Sequence, residues 1–181
     1  MHPQLQQWQD GFRRQAAEAR ALVAPLSEER FNAPGPGGGW SVGQCLGHLL
    51  QTGEPLVEKL DEALEAARAR KRTGAPPFDL GLVGRWFTQA VTPGARPVPT
   101  LRVFTPGPHY AREEVLRRFD ALQERLAAFV RDSEGYDLAR MRISSVVQPL
   151  LRLRAAAWLE STLQHQQRHL EQARRAAAAT S

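Results

Sequence analysis

The sequence predicts an all-α protein, a four-helix bundle with one long crossover between its second and third helices. Three observations predict it. Four long segments carry apolar residues at three- and four-residue steps. A Pro/Gly-punctuated stretch separates the second segment from the third. No segment shows a convincing period-two alternation, so no strand is expected. A chain of 181 residues suits one domain spanning 1–181.

The first helix is expected from about Pro3 to Ala24, with Leu5, Trp8, Phe12, Ala16, Ala19 and Val23 on one face, Pro3 in the first turn and Pro25 at the end. "SEERFN" can add a short helical turn before the loop "APGPGGG". The second helix opens on "WSVGQ", where Ser41 as N-cap and Gln44 three residues on make a capping box and Trp40 staples onto the first turn. Its stripe of Leu46, Leu49, Gly53, Leu56, Val57, Leu60 and Leu64 runs to about Ala69, with a kink expected at Pro55. From Arg70 to about Tyr110 the chain is the crossover, enclosing the short amphipathic "DLGLVGRWFTQAV" and expected to cover part of the bundle. The third helix, from about Arg112 to Asp132, buries Val115, Leu116, Phe119, Leu122, Leu126, Phe129 and Val130. "SEGYDLARMRISS" reads as a connection, with a short paired strand in part of it as the less favoured alternative, and the fourth helix runs from about Leu150 to Ala178 before a fraying "RRAAAATS" tail.

Net charge is +5 and the pI about 10.3. The positive charge is nearly all Arg, mixed with acids as in "EEVLRRFDALQERL", which describes a solvated Arg/Glu surface better than a nucleic-acid face. No apolar run approaches the roughly 20 residues that span a bilayer, and the N-terminal stretch has no signal-peptide core, so a cytoplasmic protein is expected. The lone Cys45 excludes an internal disulfide and a multi-cysteine zinc site.

Five histidines remain to be placed. His2 is terminal and His109 lies in the loop before helix three. "LQHQQRHLEQ" puts His165 and His169 four residues apart, a turn of helix, with Cβ atoms about 5–6 Å from each other. It is not a zinc-protease helix, because Gln166 stands where that motif needs a basic Glu. On helical wheels the pair lies on the shoulder of the apolar face of helix four, and His48 lies on the corresponding shoulder of helix two. Three imidazoles could hold one ion with a position left open for water or substrate. Imidazole suits Zn, Ni, Fe or Cu alike. The spacing alone is more often that of a solvated pair on a Gln/Arg-rich helix, and the wheels do not show that helices two and four are neighbours.

"GGGWSVGQCLGHLL" followed at long distance by "HQQRHLEQARR", with "RPVPTLRVFTPGPHYAREEVLRRF" between, resembles the DinB/YfiT-like superfamily over most of the chain. The resemblance implies an up-down-down-up four-helix bundle and a divalent metal held by three histidines, matching His48, His165 and His169. It also implies a choice of activities: metal-dependent transfer of a low-molecular-weight thiol such as bacillithiol, thiol-dependent isomerisation, or hydrolase-like chemistry on a small molecule, commonly in a homodimer. A stress-response or metal-binding bundle without catalysis is the other class to weigh.

Around such a site, Gln44, Gln51 and Gln172 lie within one turn of a ligand histidine and are candidates to accept its second ring N–H. Arg168 is a candidate contact for an anionic substrate. Glu54 and Glu160 read as surface charges rather than general bases, and Cys45 as a small buried helix residue. Trp86, Phe87 and Trp158 read as core or pocket lining.

Overall fold

The computed structural model describes residues 1–96, 100–146, 148 and 150–179. Helix α1 spans Pro3–Val23 and is capped by His2, whose Nδ1 accepts from the Gln4 amide. The short α2, Glu28–Asn32, starts at the Ser27 cap. Helix α3, Val42–Ala69, starts at the expected capping box: Ser41 Oγ accepts from the Gln44 amide and Gln44 Oε1 accepts from the Ser41 amide. It continues through Pro55 as one element. Helices α4 (Leu82–Val91), α5 (Arg112–Asp132) and α6 (Ala155–Ala179) follow. The helical stretch of α6 includes most of the tail expected to fray; Thr180 and Ser181 lie outside the described residues, as do Pro97–Pro99 of the crossover.

Cross-helix pairs give the direction of each long helix. Gln9 binds the Ala127 carbonyl and Arg20 pairs with Asp120, so α1 and α5 run in opposite senses. Glu54 pairs with Arg118 and Asp61 with Arg125, so α3 and α5 run together. Trp8 binds Glu160 and Glu18 pairs with Arg174, so α1 and α6 run together. The result is an up-down-down-up bundle around a core of Trp8, Phe12, Leu46, Leu60, Phe119, Leu126 and Leu159. The exposed ion pairs mark register and add little stability.

One expectation fails in the connection before α6. Strand β1, Arg142–Ser144, pairs antiparallel with β2, Arg152–Arg154, and α6 begins at Ala155 rather than near Leu150. Ile143 and Leu153 face each other and are buried, flanked by outward Arg residues. The alternation is real but three residues long, too short to register as a strand. Trp158 Nε1 donates to the Ile143 carbonyl and ties the hairpin to α6.

The crossover is fastened along its length. Gln4 exchanges two hydrogen bonds with the Phe78 backbone. Helix α4 lies on α6, with Gly84 against Ala157 and the Phe87 ring edge-on to Trp158 at 5.5 Å. The other face of α4 exposes Leu82, Val83 and Trp86. At its far end, Asn32 and Tyr110 exchange two hydrogen bonds, and Tyr110 Oη accepts from the Gly107 amide. Among the described residues no helix is long and apolar enough to cross a membrane.

Tyr110 also lies over Gly47, where an added Cβ would collide with its ring. Gly47→Ala should therefore destabilise the protein by about 1–3 kcal/mol, despite the better helix propensity of Ala. Urea denaturation checks this; a stabilised variant would show that the ring moves aside freely.

Candidate metal centre

The capping box fixes where α3 begins and so places His48 two turns into the helix, facing α6. Since α3 and α5 run down and α6 runs up, α3 and α6 cross as antiparallel neighbours, and His165 and His169 come up against His48. The Nε2 atoms of His48 and His165 are 3.2 Å apart, and one ligand nitrogen from each of the three residues lies within 4.8 Å of the others. Ring centroids are 4.6–5.1 Å apart. His48 and His169 are buried and His165 is half-buried.

The outer nitrogens decide the tautomers. His48 Nδ1 is 2.9 Å from the Phe104 carbonyl, which can only accept, so the proton sits on Nδ1 and the Nε2 lone pair is bare. His169 Nδ1 donates likewise to Gln172 Oε1 at 3.0 Å. The protein alone fills the short His48–His165 contact with an Nε2–H of His165 donating to His48. Two nitrogens bound to one tetrahedral ion at 2.0–2.1 Å stand about 3.3 Å apart, so this pair is already at ligand spacing.

Electrostatics keep the rings neutral. Burial, set against the Phe104 bond, lowers the pKa of His48. Burial, then the His169, His48 and Arg168 charges, hold His165 well below the usual imidazole range. Burial and the His48 charge bring His169 down to about 3, with Gln172 opposing and Arg168 assisting. Neutral imidazole is the form that ligates a cation. The donor set fits a divalent ion, and among the described residues no carboxylate or thiol joins it.

Other candidates are placed as follows. Gln172 bonds His169. Gln44 does not bond a histidine: its Oε1 serves the cap and its Nε2 donates to the Gly107 carbonyl. Gln51 is half-buried, and its Oε1 has no hydrogen-bond partner among the described residues. Arg168 donates to the Thr92 carbonyl at the end of α4. Glu54 pairs with Arg118, and Glu160 accepts from Trp8 and Gln164. Cys45 is buried, and burial pushes its thiol up to about 12, far from a nucleophile. Gln166 is buried on the packed side of α6. A surface cavity of about 440 Å³ lined by Lys71, Arg72 and Arg140 lies beyond the opposite end of α3, away from the trio.

Two participants escape sequence reasoning. The Trp40 ring stacks on His169 at 5.6 Å and 20° and tilts over His48 at 5.0 Å, walling one side of the cluster. Its place before the cap signals a staple, not a wall. The Phe104 carbonyl comes from a short 3-10 turn, Arg102–Phe104, and a backbone acceptor leaves no trace in residue type.

A family model described as the DinB superfamily matches residues 12–173. No curated protein matches the chain, and no solved structure matches it.

Neutral buried rings link stability to pH. The unfolded chain takes up protons near pH 6.5 while the folded trio resists, so metal-free stability is full above about 6.5 and falls below it. His169, protonating in the fold only near 3, accounts for roughly 2 kcal/mol of that loss by pH 5. Urea midpoints of the metal-free protein should drop between pH 7.5 and 5, and His169→Gln should flatten the slope; an unchanged slope in the variant would refute the assignment.

Proposed function

The chain belongs to the DinB superfamily, and from that premise we propose that it is a metal-dependent enzyme whose His48, His165 and His169 hold one divalent ion, zinc, nickel or iron, and activate a low-molecular-weight thiol or water against a small-molecule electrophile. The observation that carries this reading is the convergence of three neutral imidazoles on one point, with ligand atoms within 4.8 Å of one another. When bound, such an ion lowers the pKa of a coordinated thiol or water and so supplies a nucleophile at neutral pH.

The chain's own residues do the rest. The Phe104 carbonyl and Gln172 aim the Nε2 atoms of His48 and His169 inward by fixing the protons outside. Trp40 excludes water from one side. The acids nearest in sequence are engaged elsewhere, Glu54 by Arg118, Glu160 by Trp8 and Glu171 by Gln167. Hydrolysis needs a base to shuttle protons from water; a thiolate attack needs less, so thiol transfer is the better-supported chemistry. A small-molecule substrate and a homodimeric assembly belong to the same reading on the strength of family membership. Nucleic acid does not, since Arg20, Arg118, Arg125 and Arg174 are paired with carboxylates.

Metal analysis of untagged protein should find about one ion per chain, lost in a His165→Ala/His169→Ala variant; equal metal in both would refute the centre. Gln172→Ala should weaken metal affinity about 10–100-fold. With metal bound, a panel of electrophiles and thiols separates the enzyme from a non-catalytic metal-binding bundle: turnover that disappears with the histidines supports the first, binding without turnover the second.

A further inference from the structure

The trio brings no negative charge to its ion. Its ligands are neutral, and among the described residues no Asp or Glu joins them. A divalent ion there keeps its full charge, and Arg168 adds another. That residue sits on α6 one position before His169 and three after His165, about one helical turn from the latter. It is half-buried and makes no ion pair among the described residues. Its hydrogen bond to the Thr92 carbonyl is long, at 3.4 Å. The acids of α6 are committed: Glu160 to Trp8 and Gln164, Glu171 to Gln167. Arg174, one and a half turns on, has its partner in Glu18. A partly desolvated guanidinium beside a cation, with no counter-ion, is unfavourable until an anion arrives.

We propose that Arg168 anchors a carboxylate of the molecule that enters the trio, so that the site selects acidic small molecules, such as carboxylate-bearing thiols, over neutral ones. The proposal rests on the three-histidine metal reading. Residues at i and i+3 on a helix hold their Cβ atoms about 5–6 Å apart, so a thiol two or three carbons from a carboxylate can meet both the ion and the guanidinium fork. The competing role for Arg168 is purely structural, fastening the end of α4 through Thr92.

Cobalt(II) substitution reads this without turnover, because its visible bands change when a thiol binds. Titrations with 3-mercaptopropionate and 2-mercaptoethanol should show the acidic thiol binding wild type about tenfold or more tightly. The preference should fall to about one in Arg168→Gln and partly return in Arg168→Lys, with cobalt content and neutral-thiol affinity unchanged. A ratio near one in wild type, or an undiminished preference in Arg168→Gln, would overturn the anchor while leaving the metal centre standing. Failure of wild type to take up cobalt, seen before any thiol is added, would overturn both.

Discussion

Three imidazoles from two antiparallel helices share one small desolvated volume, and much of the remaining structure holds them there. Each ring is easier to accommodate in water, where it can protonate and hydrogen-bond freely. Keeping all three neutral and close requires that every outer N–H with a defined direction find an acceptor and that the helices not slide. The Phe104 carbonyl and Gln172 meet the first need. The cap at Ser41 meets the second, because it fixes the residue at which α3 begins and hence the height of His48 against α6. Trp40, one residue before that cap, joins the start of the helix to the wall of the cluster.

The topology explains the long crossover. Helices α3 and α5 are parallel, so the chain leaving the bottom of α3 must climb the bundle again before α5 can descend. A helix of 28 residues is about 42 Å long, and no short loop returns over that distance. The returning segment has to lie on some face, and it lies on α6, where Gly84 allows α4 to approach Ala157. Its later part then passes His48 and offers the Phe104 carbonyl. A segment demanded by connectivity is thus also the one that orients the His48 ring.

Legibility in the sequence follows the range of the interaction. The cap, the helical stripes and the i, i+4 histidine pair are local, and the sequence carries them openly. That α3 adjoins α6 is not local; the wheels make it allowable, and only the resemblance to a known superfamily singled it out. Gln44 shows how one residue can satisfy two rules that geometry makes exclusive. Closing the capping box and accepting a histidine N–H both suit a glutamine there, and the nearer partner has it. The β1–β2 hairpin is only faintly legible because Ile143 and Leu153 are single buried positions beside arginines, a pattern too brief to separate from coil, and β2 falls where the fourth helix is expected to begin. Where a backbone atom does the work, as at Phe104, residue type carries no signal at all.

The pairing of His48 with His165 spans 117 positions of the chain. During synthesis the amino-terminal helices emerge first and can collapse early, while the partner histidines arrive with the last helix. Until α6 docks, a passing ion meets a lone imidazole or, at most, an exposed bidentate pair, neither of which binds with the strength of three preset nitrogens. Binding of an ion by all three nitrogens would therefore wait until α6 docks.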